Sequence, residues 1–551
     1  MKKKLMPLAV GAAIAASSAQ AQMFLNTDGT GEILVFPFYS AENGNSTNVN
    51  ITNTVNQAKA VKVRIIEGEN SQEVLDFNVY MSAEDHFSFA ITATEDGGGS
   101  LVTFDNTCTV PRLTPGEAVP FRNFKYLGDK GEDNPDTDKD ESFDNTSITR
   151  TATGYIEIIE MGQLDMRELD WDADEDTPDS VNPIVGAITH GADGVPADCD
   201  VPVAAWSTGG AWWKDVQAAD TADTFFVTGW AGGGLYGEAS VVNVGDAMAF
   251  GFDADAIDSA VTGSGWQLHY EPGSTKPDFK SDGVVTDSIV TVNGKQIPME
   301  YGADYGDEAS LVAVSSLYQK QVIMNDYITD PGILALTDWI VTMPTKWLHL
   351  NEYAQAVEGV SEEVETLVPF STPWNGRTAC EYATLYNWDR EEANPAFTPD
   401  VPDFSPQPDI EIELYDLPLC YEVNVVQFGD SSAVKNESLA VGISDQLVAN
   451  DGWAKIDLSW EALSADGKDT VNDHNRWLCD DADDCLSGLP VTGFAVQAYG
   501  NTSVNGSGNV ANYSGAFLHK SNAVCSGTVT DQLTDVGCQD YDSDLNPTSD
   551  D

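Results

Sequence analysis

The sequence predicts a mainly β protein, built as antiparallel β-sandwich domains with long acidic loops and one or two helices. Three observations carry that expectation. Period-2 alternation of apolar and polar residues recurs at short spacing through the first hundred residues. Turn-forming Gly, Asn, Asp and Pro punctuate it, and apolar residues make up 42% of the chain, enough for packed cores. No stretch has the continuous apolar run that a membrane-spanning helix needs, so no span is expected.

The elements follow in order. Residues 1–21 read as a signal peptide: Lys2, Lys3 and Lys4, an apolar stretch from Leu5 to Ala16, then Ala19-Gln20-Ala21 as a small-x-small cleavage site. An N-terminal β-sandwich domain is expected over 22–205. Its strands are Glu32 to Tyr39, Thr47 to Val55, Lys59 to Ile66, Leu75 to Met81, Phe87 to Thr94, Leu101 to Phe104 and Thr153 to Glu160. In Lys59 to Ile66, Val61, Val63 and Ile65 alternate with Lys62 and Arg64, which predicts one buried face and one wet face. Acidic loops are expected at Gly128 to Asp144 and Asp165 to Asp179.

A central β-rich region is expected over 206–370, with strands at Phe225 to Trp230 and Ala239 to Phe252. Asn293-Gly294 sits between Ile289-Val290-Thr291-Val292 and Lys295-Gln296-Ile297, which predicts a tight hairpin. A helix is expected over 308–323, capped by Asp307, with Leu311, Val314, Leu317, Tyr318 and Val322 on one stripe. A second short helix is expected over 354–366. Strands return at Asp338 to Met343, and a C-terminal β domain is expected over 371–551, with strands at Cys380 to Trp388, Cys420 to Phe428, Trp453 to Leu458, Val491 to Tyr499 and Val510 to Leu518. Asn394 to Gln407 is Pro-rich and acidic, hence a loop or linker.

Charge excludes whole function classes. There are 26 Lys+Arg against 89 Asp+Glu, for a net charge of −63. Such a chain has no basic footprint for nucleic acid or for anionic lipid. Eight Cys in an exported chain read as disulfides. Pairing nearest neighbours closes the shortest loops: Cys108 with Cys199, Cys380 with Cys420, Cys479 with Cys485, and Cys525 with Cys538.

Motifs of nucleophilic, nucleotide-binding and zinc enzymes are missing from the sequence, and no two of the six His lie within four residues of each other. The positive signals are two. Asp recurs at alternate positions in Asp136, Asp138 and Asp140, in Asp170, Asp172 and Asp174, and in Asp540, Asp542 and Asp544. Alternation in a loop lets carboxylates converge on a hard cation, so Ca²⁺ is the candidate cofactor. The four Asp between Cys479 and Cys485 would form a ring needing relief of repulsion by salt or a divalent ion. The second signal is Trp206, Trp212 and Trp213 around a Gly-rich stretch, where exposed indoles would stack on sugar rings and buried ones would pack a β core.

The runs Gly31 to Tyr39, Asn43 to Thr47, Asn50 to Thr54, Glu73 to Tyr80, Thr337 to Lys346 and Gly488 to Ala495 are similar to segments of a family of large exported proteobacterial surface proteins. That resemblance implies export and kinship along the chain. It assigns no activity and no functional residue. The resulting expectation is a secreted or cell-surface, non-enzymatic structural protein of the extracellular matrix, Ca²⁺-stabilised, with the periplasm as the other compartment open to it. Self-association or surface glycans are the expected partners. A carbohydrate-binding protein or adhesin is the first alternative, and a secreted polysaccharide hydrolase the second.

Overall fold

The computed structural model describes residues 22–124, 147–166, 168–169, 180–213, 225–227, 232–262, 268–354, 367–372, 378–391, 415–459, 476–500 and 512–526. The protein is mainly β. A seven-stranded antiparallel sheet contains Ile33–Ser40, Lys59–Glu67, Glu73–Met81 and Thr153–Gln163. A six-stranded sheet contains Asn45–Asn53, His86–Ala93, Leu235–Asn243 and Met248–Asp253. Their facing residues, among them Phe36, Val61, Val63, Phe77, Phe87, Phe89 and Phe250, share one apolar core. This is the sandwich that the alternation predicts.

Two five-stranded sheets form a second sandwich. The outer one runs Tyr415–Leu419, Glu381–Trp388, Asp451–Asp457, Val322–Ile328, Lys520–Asn522; the inner one is centred on Leu336–Thr342. Trp339, Val341, Leu385, Val426, Ala454 and Ile456 fill the space between them. The opposite face of the inner sheet, with Ile340, Val425 and Phe494, joins the core of the first sandwich, where Phe494 stacks on Phe252 at 4.5 Å.

The expected boundary at 205 is not a boundary between sheets. Leu235–Asn243 pairs with Asn45–Asn53 along its whole length, and Asp255–Asp258 pairs with Ile33–Ser40. The single strand expected from Ala239 to Phe252 is two strands. Val244 to Ala247 turns between them, with Val244 exposed at the tip and Ala247 at φ 50°.

The wet face expected on Lys59 to Ile66 does not exist. Every residue of Ile33–Ser40, Lys59–Glu67 and Thr153–Gln163 is buried. Residues far along the chain cover the second face: the helices Pro183–Ile188, Asp200–Trp206 and Ala309–Tyr318, and the hairpin Asp287–Val292/Lys295–Glu300. Lys62 is 0% and Arg64 8% exposed. Their charges are met by carboxylates under that cover: Lys62 by Asp76, and Arg64 by Glu73 and Glu157. A strand with apolar and charged residues alternating is compatible with two buried faces when each charge has its partner.

The hairpin forms as expected, with Asn293 and Gly294 at φ 51° and 79°. The expected helix 308–323 is shorter, Ala309–Tyr318, and Asp307 does not cap it. All ten of its residues are buried, so it has no wet stripe; it runs through the core. It stops because Gln319–Lys320 pairs with Leu489–Pro490 and Val322 opens a strand of the outer sheet. The expected helix 354–366 lies outside the described residues apart from its first residue, Ala354, which closes the helix Lys346–Ala354.

Candidate functional site

Sequence reasoning leaves Trp206, Trp212 and Trp213 open to sugar stacking or to core packing. The structure puts the first two in the core. Trp212 is 0% exposed and stacks on Tyr80 at 5.2 Å with 10° between planes. Trp206 donates from Nε1 to the Tyr80 hydroxyl at 2.6 Å and lies 4.8 Å from the His269 ring. Neither indole offers a face to a ligand. Trp213 is half-buried beside them, at the turn made by Gly209 and Gly210. These rings, with Phe226, box in His269, whose pKa burial pushes down to about 3, so it is neutral.

An exposed aromatic face lies elsewhere, on the outer five-stranded sheet. Along Glu381–Trp388, the side chains of Tyr382, Tyr386 and Trp388 share the outward face, opposite Ala383 and Leu385 in the core. Asp451–Asp457 adds Trp453, paired in register with Trp388 on one side and Asp326 on the other. The Trp453 and Trp388 rings stack at 4.2 Å and 12°, and Trp388 lies 6.2 Å from Tyr386 at 16°. Lys455 sets its ammonium 4.5 Å above Tyr386. Gly452 makes the stack possible. A Cβ there would stand 1.9 Å from the carbonyl oxygen of Trp388, so only glycine lets the two strands close at this point.

Trp453 is 39% exposed and walls a cleft of about 360 Å³. Asp326, Asp389, Asp451, Arg390, Gln497 and Tyr499 line the rest. Arg390 Nη2 lies 2.5 Å from Asp451 Oδ2. The Tyr499 hydroxyl donates to Gln497 Oε1 at 2.9 Å, and Gln497 Nε2 donates to the carbonyl of Asp326 at 3.3 Å. The cleft therefore offers one flat apolar wall and a rim of carboxylates, guanidinium, amide and phenol, each oriented by a neighbour. That chemistry grips a molecule with apolar C–H faces and equatorial hydroxyls. The sequence carries a sign of it: Tyr382, Thr384, Tyr386 and Trp388 alternate with Ala383 and Leu385, so the strand is apolar on both faces.

The remaining sequence candidates are placed as follows. Asp136, Asp138, Asp140, Asp170, Asp172, Asp174, Asp540, Asp542 and Asp544 lie outside the described residues, and so does Cys538. Among the described residues no group of three or more His, Cys, Asp or Glu is arranged to hold a metal. The disulfides Cys108–Cys199, Cys380–Cys420 and Cys479–Cys485 form between sequence neighbours, and Cys525 is also disulfide-bonded. The acidic ring is not a bare cluster of repelling charges. Asp481 accepts the amides of Ala303 and Asp304 at 2.8 and 3.0 Å, and Asp480 accepts those of Ala482 and Asp484. Backbone dipoles supply the relief there.

Two Ser–His contacts invite comparison with a catalytic triad. Ser82 Oγ and Asp85 Oδ1 both approach Nδ1 of His190, at 3.3 and 3.8 Å. A relay needs the nucleophile and the acid on opposite ring nitrogens, so this trio is not arranged for it. Ser315 Oγ lies 2.7 Å from His349 Nε2, but both residues are fully buried, and no acid meets Nδ1 among the described residues. No family model, no curated protein and no solved structure matches this chain.

Proposed function

We propose that the chain is an exported, non-catalytic surface or matrix protein that adheres to glycans through the Trp453 cleft. The observation that carries this reading is an exposed indole, braced from behind by Trp388, facing a rim of fixed polar groups. A braced ring loses little entropy on binding, and its free face matches the apolar side of a pyranose. The signal-like residues 1–21, the disulfides and the acid-rich composition support an oxidising, saline exterior as the place of action.

A glycan array followed by titration of tryptophan fluorescence tests it. Binding is expected, and Trp453→Ala should weaken it at least about tenfold, the loss of one stacking contact of about 1.4 kcal/mol or more, without lowering the melting temperature. Full binding by Trp453→Ala, or no binding across the array, overturns the reading. Cleavage of a bound oligosaccharide would replace it with the hydrolase.

A further inference from the structure

Lys59 and Glu160 sit on adjacent strands of the seven-stranded sheet, on the face of Val61 and Met81 that is turned toward the six-stranded sheet. Lys59 Nζ lies 2.5 Å from Glu160 Oε1, and both side chains have 0% exposure. Each is pinned. Lys59 Nζ also donates to the carbonyl of Gly233 at 2.8 Å, and Glu160 Oε2 accepts the Gly233 amide at 3.2 Å. A third buried group, Glu32, runs alongside. Its carbonyl accepts the backbone amide of Glu160 at 2.8 Å, and its carboxyl presses on Gly232, where a Cβ would come within 2.2 Å of Oε1. Leu34, Val61 and Ile158, on the same side of the sheet as these three groups, belong to the core between the two sheets.

In water an amine and a carboxylic acid stay apart, because the ion pair is favoured and water is abundant. A dry site reverses both terms. It disfavours the charged forms, and it supplies no bulk water to reverse the condensation. Burial next to Glu160 pushes the Glu32 pKa up to about 8, against the backbone amides of Ala260 and Val261 that donate to its Oε2. With a carbon–oxygen bond of about 1.2 Å, the carboxyl carbon of Glu160 is no more than about 3.7 Å from Nζ, close to attack distance.

We infer that Lys59 and Glu160 condense into an intramolecular isopeptide bond. A proton passes from the Lys59 ammonium to the Glu160 carboxylate, leaving a neutral amine and a neutral acid. Nζ adds to Cδ of Glu160, a proton passes from the nitrogen to the departing hydroxyl, and water leaves. One N–C bond forms and one C–O bond breaks. No oxidant, metal or cofactor enters the balance.

Intact-mass spectrometry of the full chain, reduced and denatured, tests this directly. The expected mass is one water below that of the sequence. A tryptic digest should then give a branched peptide joining Lys59 to Glu160, with no cleavage after Lys59. Glu160→Asp keeps the charge but draws the carboxyl carbon back by one methylene, and should return the full mass. A wild-type chain of full mass, cleaved after Lys59, overturns the bond, as does a water loss that maps elsewhere.

Discussion

Arg476 Nη2 lies 3.0 Å from Glu381 Oε2, with each side chain 1% exposed, in a chain that carries only 26 Lys and Arg. Lys59, Lys62, Arg64, Arg150 and Lys346 are buried as well. Six of the scarce Lys and Arg are thus buried facing carboxylates. For the Arg476 pair, removing one partner should cost far more than the pair contributes, because the survivor is left charged in a dry site. Arg476→Met should destabilise by about 3–5 kcal/mol. The double variant Arg476→Met/Glu381→Gln should recover part of that loss in denaturant melts. A double variant no better than the single would show that the pair is not coupled.

Val63→Asp and Arg64→Asp should be comparably damaging, at about 3 kcal/mol or more each. Val63 faces the core between the two sheets, and the substitution puts a carboxylate in it. Arg64 holds Glu73 and Glu157 on the opposite face, and the substitution would set three carboxylates together. Thermal melts of the two variants check this; a harmless Arg64→Asp would mean that the second face is open to water.

Stability should peak between about pH 4.5 and 6.5. Burial pushes Glu422 from 4.5 up to about 8, partly offset by Lys346. Between those values the folded chain holds a proton that the unfolded chain has released, so stability falls as pH rises through about 8. His269 and His349 are pushed by burial from 6.5 down to about 3. There the unfolded chain binds the extra protons, so stability rises with pH from about 3 to 6.5. Melting temperatures from pH 3 to 9 read both limbs. Glu422→Gln should make the alkaline limb shallower and leave the rise from about pH 3 to 4.5 unchanged.

Gly452→Ala should lower the melting temperature and weaken glycan binding together, because the added methyl meets the Trp388 carbonyl and displaces the strand that carries Trp453. Trp453→Ala should affect binding alone. Equal behaviour of the two variants in calorimetry would show that the close approach is relieved locally.

Millimolar Ca²⁺ should raise the melting temperature more than Mg²⁺ or matched NaCl, if the alternating Asp runs bind it as their spacing in the sequence suggests. Asp481→Ala should leave that rise intact while costing about 1 kcal/mol on its own, the usual loss of a carboxylate that accepts helix-end amides.

Most of the long strands were legible from alternation, and so was the Asn293-Gly294 hairpin, but Val322–Ile328, whose first residues were expected to be helical, Tyr415–Leu419 and Asp255–Asp258 were not. The burial of the second sheet face was not. Lys62 and Arg64 look like a solvent face because the groups that cover them, such as Leu311, Phe279 and Leu268, lie some two hundred residues away. Local periodicity reports only that a position differs from its neighbours, not what arrives to cover it. The aromatic cleft was hidden for the opposite reason. Trp388 and Trp453 sit in strands where a large apolar residue ordinarily means core, and only the cross-strand register shows that they point outward. Trp206 and Trp212 mislead because a Gly-rich stretch suggests an exposed loop, whereas here it is the turn that folds Trp212 back onto Tyr80.

The cover over the seven-stranded sheet has a kinetic meaning. Leu478 and Leu486, near the end of the chain, belong to the same core as Ile33 and Ala60 near its beginning, and Asp481 holds the amides of Ala303 and Asp304. The first strands made cannot be sealed until the last third of the polypeptide has been delivered. Until then a sheet whose Lys62 and Arg64 face no cover would stand open to mispairing and to proteases. Folding of this chain is therefore expected to complete late, and opening of the cover to release residues of the first and last thirds of the chain together.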